Sequence, residues 1–522
     1  MKRRELILAM LGAVLLLAAW WLLRGMNVQW QQEAIVAGGC RVPMSVYQPR
    51  GATASVIVLH GLTANRRIMQ ILGTELAASP LRDLNVYLVD LPGHGDNKEP
   101  FSYERAEACV GNLLEKLEAE GHIRADRTVL VGHSMGASIA IRMADRFPVA
   151  ATVSISASMR KPNPAGGNPV AVELPRRVPV NLFLITGEYD FARTTRSNEQ
   201  LLAAADGERY ADEDFRQRRA VRYMQIPGAS HTGLIFNNDV CRAVGQWIES
   251  SLPGVGRGAP CSIRRRLALA GLGLIGLMLL FPAAASVGTS LFRASREQGG
   301  TRGGPAMLRT VGVWAIAAVL AVVLLKFVVV LQPIVRMYTG GYLASVLFLV
   351  GIAALVSQPS WARQGAPQQE HWNARVLMAA AALGLATMLA FGAWLNWQIT
   401  DAWLNGLRWW RFALLTPLML PYAFAEELAL GAPPTEWKNR AARASQFLAL
   451  RLVLWLAMVL GYAVLKNGEV LILLLVMYLA AFSMAQRLGT DAVRRRTGSA
   501  TAAALFGAIL AAWFIAAVFP IT

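Results

Sequence analysis

Apolar and polar positions divide the chain into three parts. Residues 6–23, LILAMLGAVLLLAAWWLL, form one unbroken apolar run behind Lys2, Arg3 and Arg4. A hydrocarbon core of about 30 Å needs about 20 such residues in a helix. The run is too long for a signal peptide, no small-x-small cleavage site follows it, and Trp20 and Trp21 suit an interfacial anchor. A retained transmembrane anchor over 1–24 is expected. No comparable run lies between 24 and 262. From 267 onward eight apolar stretches follow, near 267–286, 311–332, 341–358, 376–397, 411–430, 446–465, 469–485 and 499–519. The expectation is nine spans, eight of them in an all-α polytopic membrane domain over 264–522.

The middle segment has a different rhythm. SVIVLHG (55–61), NVYLVD (85–90), TVLVGHS (128–134), ATVSISAS (151–158), VNLFLITG (180–187) and AVRYMQIPG (220–228) are short, apolar and β-rich. Amphipathic helical patterns lie between several of them, as at 104–120 and 136–147. Strands alternating with helices predict a mainly parallel sheet with helices on both faces, over about 30–255. In such sheets ligands bind at the carboxyl ends of the strands.

Composition agrees with two environments: of 522 residues 55% are hydrophobic and only 16% charged. Acidic residues concentrate before about 250, whereas Arg dominates the short polar gaps after it. With the N-terminus in the cytoplasm, the short gaps on the inner side hold sixteen Lys and Arg and those on the outer side four. That asymmetry places the middle segment outside the cytoplasm, on a bacterial inner membrane. Arg264, Arg265 and Arg266 run against it, at the end of a long translocated segment where the rule is weak. The net charge of +18 is accounted for by loop arginines facing anionic headgroups, so nucleic acid is not expected as a partner.

All four cysteines, Cys40, Cys109, Cys241 and Cys261, lie in or beside the middle segment. Sequence leaves their pairing open, with Cys241 and Cys261 the nearest in the chain. Cys109 falls on the apolar side of a helical pattern and reads as a small buried hydrophobe. No Cys-x-x-Cys or His-x-x-x-His spacing occurs, so neither a metal site nor a cofactor is expected.

Candidate chemistry begins at TVLVGHSMGASIAIRMA, 128–144. Gly132 and Gly136 flank Ser134 where a strand meets a helix, and a tight turn there needs neighbours without side chains. A serine hydroxyl needs a base to become nucleophilic. His231 lies in IPGASHTG after the last strand, and Asp190 ends LITGEYD on the strand before it. Glu188 is the rival acid, and Asp90, which precedes the serine, reads as a turn cap. The order Ser134, Asp190, His231 resembles that of the α/β-hydrolases. VIVLHGLTAN looks like the loop after their third strand, and LVDLPGHGDN is similar to the turn after the fourth strand in the monoacylglycerol-lipase and serine-aminopeptidase-like branch.

The resemblance spans about residues 35–250. It implies an α/β hydrolase fold in which Ser134 attacks an acyl carbon, His231 moves the proton and Asp190 orients the imidazole. The backbone N–H groups of Leu62 and Met135 would form the oxyanion hole. His60, His94 and His133 read as structural or oxyanion-loop residues.

In the membrane half the outer gap 394–411 carries Trp394, Trp397, Trp403, Trp409 and Trp410, either an aromatic belt or a ledge that delivers an acyl chain to Ser134. Glu426 and Glu427 lie deep in the sixth span, and Arg451 at nearly the same depth is expected to pair with them. Lys326 lies too far away in depth to do so. Two function classes remain: a membrane-bound serine hydrolase, or the closely related acyltransferase, acting on a lipid or envelope-linked ester or thioester; and a transporter or assembly factor with a non-catalytic hydrolase-like module.

Overall fold

The computed structural model describes residues 3–78, 83–161, 170–171, 174–256, 261–290, 304–357, 373–466, 472 and 475–522. Among the described residues ten strands are present: β1 Gln31–Ala37, β2 Cys40–Tyr47, β3 Ala54–Leu59, β4 Leu84–Val89, β5 Thr128–His133, β6 Ala151–Ile155, the short pair β7 Arg160–Lys161 and β8 Val170–Ala171, β9 Leu182–Tyr189 and β10 Val221–Ser230. All but β7 and β8 form one eight-stranded sheet, in the order β1-β2-β4-β3-β5-β6-β9-β10. From β4 to β10 every pairing is parallel. The six apolar runs of the middle segment form these six strands. Every residue of β3, β5 and β6 is buried, as continuous apolar runs in a sheet covered on both faces require. One face packs under α2 (Arg66–Ala77) and α7 (Asn238–Ser251), the other under α3 (Tyr103–Ala119) and α4 (Met135–Arg146). Two further helices, α5 (Ala192–Ala204) and the short α6 (Asp212–Arg216), lie between β9 and β10.

The β1/β2 hairpin is absent from the sequence-based expectation. Its turn sits on Gly38 and Gly39, both at positive φ (+53° and +79°), between the paired residues Ala37 and Cys40. Gly-Gly flanked by apolar residues is the local signal that identifies it.

In the second half the helices are α8 Ile263–Ser290, α9 Gly304–Leu324, α10 Gln332–Val335, α11 Gly340–Val356, α12 Ala374–Gln398, α13 Leu407–Leu430, α14 Trp437–Ala463, α15 Val476–Thr497 and α16 Ala500–Val518. Together with α1 (Arg3–Arg24), seven of the described helices are long and apolar enough to cross a membrane: α1, α8, α9, α12, α13, α14 and α16. The stretch near 341–358 forms α11, shorter at 17 residues. That near 469–485 falls partly outside the described residues, and α15 continues past it through a charged segment. The run near 311–332 also breaks earlier than expected, because α9 ends at Leu324. Lys326 therefore sits exposed in the turn beyond the helix, and its estimated depth within a span no longer applies.

The membrane half docks against loops at the carboxyl edge of the sheet. Asn65, after β3, donates to Thr400 Oγ1 (2.9 Å) and accepts from the Asp401 N–H (3.2 Å). Asn405 donates to the Gly95 carbonyl (2.9 Å) and to Asp96 (2.7 Å), after β4. Ile521, near the C-terminus, exchanges backbone hydrogen bonds with Gly93 and Phe101 (2.9 and 2.8 Å). Arg266 is buried against Glu75 of α2, Asn27 and the Met26 carbonyl. A role in joining the two halves thus explains why an arginine stands where the loop-charge pattern disfavours one.

Two disulfides form, Cys40–Cys109 and Cys241–Cys261. Cys109 is buried as its helical pattern implied, yet it is a bridge rather than a simple apolar filler. The partner comes from β2, on the hairpin that was not anticipated.

The denatured, unreduced chain is expected to take up no alkylating label, and four labels after reduction, read by intact mass. Replacing Cys40 and Cys109 together by Ala should lower stability by about 2–4 kcal/mol, seen as a lower unfolding temperature. The Asp401 carboxyl is pushed up to about 6 by burial and by the charges of Asp96 and Asp90, against Arg67 and Arg66. A carboxyl raised in the folded state favours folding in its protonated form: its contribution is full below about pH 4 and lost as the pH climbs through about 6. Asp401→Asn is therefore expected to raise the unfolding temperature at neutral pH and to flatten its pH dependence over that window.

Candidate active site

β5 runs into α4 through a turn whose central residue is Ser134, at φ +54° and ψ −115°. A non-glycine residue there is strained, and the surroundings have to impose it. Glycines on either side make it possible. A Cβ on Gly132 would stand 2.3 Å from the Gly136 carbonyl oxygen, and one on Gly136 would stand 2.3 Å from the Leu59 carbonyl oxygen. The turn is pinned by the Ser134 N–H donating to the Ile155 carbonyl of β6 (2.8 Å).

Three side chains from distant segments meet at this turn. His231 Nε2 lies 2.9 Å from Ser134 Oγ, and its Nδ1 lies 2.8 Å from Asp190 Oδ1. Asp190 accepts further from the Phe191 N–H (2.7 Å) and from the Ser156 hydroxyl. Burial would raise the Asp190 carboxyl, but the hydrogen bonds from His231, Ser156 and Phe191, with the His231 charge, outweigh it and hold the group below its ordinary value. Asp190 is thus an anion at neutral pH. The rival Glu188 is exposed and binds the Gly228 N–H instead (2.7 Å). Asp90 is buried against Arg66 and caps the following turn through the Asp96 N–H (2.9 Å). Ser156, at φ +59° and bonded to the carboxylate, was not foreseen; nothing in its local sequence marks it.

The loop after β3 passes against the serine turn, since a Cβ on Gly61 would stand 3.0 Å from Ser134 Cβ. Among the described residues, the N–H groups of Leu62, in this loop, and Met135, at the start of α4, donate to no protein acceptor. Neighbouring histidines hold the loop. His94 donates from Nδ1 to the Pro92 carbonyl (2.8 Å), which leaves Nε2 to accept from the Thr63 N–H (3.2 Å). His60 bridges the Gly61 carbonyl (2.7 Å) and the Leu91 N–H (3.0 Å) in the same way. His133 donates from Nε2 to the His231 carbonyl (3.0 Å), and burial lowers its own basicity to about 3. All three are neutral spacers in the loops around Ser134.

The membrane residues divide differently from expectation. Arg451 pairs with Glu426 (2.7 Å), but Glu427 pairs with Arg487 of α15 (2.5 Å). Arg487 also reaches Asp491 (2.6 Å), which in turn binds Arg443 (2.6 Å). Sequence assigned Arg487 to a cytoplasmic loop. α15, which packs on α16 and α8, instead carries it as helix, and its side chain reaches Glu427 of α13. Trp394 is buried with its indole N–H on the Ala270 carbonyl (2.9 Å), whereas Trp403, Trp409 and Trp410 are exposed. Trp394 is therefore packing, not part of a ledge.

Residues 56–253 match the Alpha/beta hydrolase family. No curated protein matches the chain. Similar solved structures include a lidless α/β serine hydrolase from Xanthomonas campestris, 14% identical, covering 44% of this chain and 97% of its own, with a TM-score of 0.32. A predicted CIB-like hydrolase from Thermoplasma acidophilum is 18% identical, with coverage of 40% and 91% and a TM-score of 0.29. A bacterial membrane phospholipase A is 14% identical, with coverage of 46% and 92% and a TM-score of 0.33. With its sheet order, its strained serine turn and this match, the domain on the eight-stranded sheet belongs to the α/β hydrolase superfamily.

Proposed function

We propose that the chain is a membrane-bound serine hydrolase that cleaves an ester or thioester of a lipid or envelope-linked acyl group. The observation that carries this is the continuous hydrogen-bonded line Ser134 Oγ, His231, Asp190 at 2.9 and 2.8 Å, on a serine turn held in a strained conformation. His231 Nε2 takes the hydroxyl proton as Oγ attacks the acyl carbon. The resulting oxyanion is met by the N–H groups of Leu62 and Met135, which have no other acceptor among the described residues. The tetrahedral species collapses, the bond to the leaving oxygen or sulfur breaks, and His231 returns its proton to that atom. Water, activated by the same imidazole, then releases the acid from the acyl-enzyme and regenerates Ser134. Asp190 holds the Nδ1–H tautomer and stabilises the imidazolium.

A lipid substrate is supported by the docking of the membrane half on the strand edge that bears Ser134, with exposed Trp403, Trp409 and Trp410 beside it. We place the hydrolase domain on the extracytoplasmic side of a bacterial inner membrane, from the excess of Lys and Arg in the opposite loops. Two disulfides among the described residues accord with an oxidising compartment. If an alcohol replaced water in the second half-reaction, the same residues would transfer the acyl group.

Hydrolysis of p-nitrophenyl esters of increasing chain length by the purified protein in detergent tests the proposal. Ser134→Ala is expected to lower kcat by about 10⁵- to 10⁶-fold. Asp190→Asn should lower it by about 10⁴-fold with little change in KM, because the wrong histidine tautomer is then favoured. Long acyl chains should be preferred. Turnover that survives in Ser134→Ala would refute the assignment and favour a binding module.

A further inference from the structure

Arg408, the second residue of α13, is only 2% exposed. Its Nη1 donates to the carbonyls of Ala516 (2.5 Å), Ala517 (3.2 Å) and Phe519 (3.0 Å) at the end of α16. Its Nη2 donates to the Gly93 carbonyl, in the loop after β4 (3.0 Å). The first three bonds satisfy carbonyls that the last turn of a helix leaves without partners, and a cation suits that end of the dipole. The fourth does nothing for α16 and crosses into the hydrolase domain. Among the described residues no carboxylate pairs with Arg408. A buried charge held by carbonyls alone is costly.

Gly93 is fixed from a second side. Its carbonyl also accepts from the Ile521 N–H (2.9 Å), and the Ile521 carbonyl accepts from the Phe101 N–H (2.8 Å). Gly93 sits at φ +76°, and a Cβ there would stand 2.5 Å from the Ile521 carbonyl oxygen. Asn405 takes the next stretch of the loop through Gly95 and Asp96. From this same loop His94 Nε2 accepts the N–H of Thr63, the residue after Leu62 (3.2 Å). Thr63 is at φ +60°, a strained conformation for a β-branched residue that its surroundings have to impose. Arg408, Gly93, His94 and Thr63 thus form one line of hydrogen and peptide bonds from the end of α16 to the neighbour of Leu62.

We propose that Arg408 is a positioning residue for the oxyanion hole, and that the membrane half therefore completes the active site as well as anchoring it. The proposal rests on the serine hydrolase reading above. Arg408 acts at a distance: it fixes Gly93, which sets His94, and the bond from Thr63 to His94 holds the loop that presents the Leu62 N–H. That N–H gains its acceptor only when the oxyanion forms, so a misplaced loop is felt in the transition state and hardly in the bound substrate. Loss of Arg408 should accordingly lower kcat and spare KM.

Steady-state hydrolysis of a p-nitrophenyl ester by the full chain in detergent reads this, below the unfolding temperature of every variant. Arg408→Met is expected to lower kcat by about 10- to 100-fold, with KM within about twofold of wild type. Arg443→Ala is the control for lost stability alone. It breaks a pair with Asp491 (2.6 Å) and a bond to the Gly431 carbonyl (3.2 Å) at the other end of α13. Its unfolding temperature should fall while kcat holds. If Arg408→Met does not fold, Asn405→Ala decides, with an expected loss in kcat of about three- to tenfold. Wild-type kcat in folded Arg408→Met, or in Asn405→Ala where that variant decides, would overturn the proposal, as would an equal fall of kcat in Arg443→Ala. Turnover that survives in Ser134→Ala would instead refute the hydrolase reading itself, so the two failures are distinguishable.

Discussion

A serine at φ +54° is held there by two close backbone approaches, Gly132 against the first turn of α4 and Gly136 against the end of β3, that leave no room for side chains at either glycine. Everything chemical in the domain depends on that constraint. The turn brings the Ser134 hydroxyl within 2.9 Å of His231 Nε2 and puts Met135 at the start of α4. It also sets the one location where loops from β3, β6, β9 and β10 converge. The strain is stored locally and sustained by the parallel strands around it, each buried on both faces. A looser sheet would let the turn relax and the hydroxyl fall out of reach of His231.

The second organising feature is the joint between the halves. The loops after β3 and β4 are structural supports of the serine turn on one side and docking surfaces for the membrane half on the other. Asn65 caps α2 through the Arg67 and Ile68 N–H groups while bonding Thr400 and Asp401. His94, which holds Thr63, meets Phe101 edge-on, and Phe101 in turn meets Tyr338, beyond α10, edge-on. Tyr338, Phe101 and His94 thereby link the membrane half to the loop carrying Leu62.

What was legible in the sequence followed local pattern. The six parallel strands, the serine turn and the short motifs around Asp190 and His231 were each written within a dozen contiguous residues, where periodicity and turn chemistry act. Features that arise from long-range pairing were not. The β1/β2 hairpin lacks a strong alternation, and its edge strand is mostly exposed, so only Gly38 and Gly39 mark it. Cys109 satisfies a helical apolar pattern equally well as a free thiol or as a bridge, and its partner lies 69 residues away. Arg487 was assigned by its neighbours Arg494, Arg495 and Arg496 to a loop, whereas the helix that carries it decides its partner. Ser156 had no local signal at all, because its role comes from where β6 ends relative to β9.

The central claim is that Ser134 is a nucleophile activated by His231. Its most direct measurement is the reaction of the folded protein with a fluorophosphonate, with the adduct mapped to a peptide by mass spectrometry. The account predicts a single phosphonylated residue, Ser134, formed at a rate that drops sharply in His231→Ala while the protein stays folded. A folded wild type that remains unmodified, or an adduct that forms equally fast without His231, would contradict it.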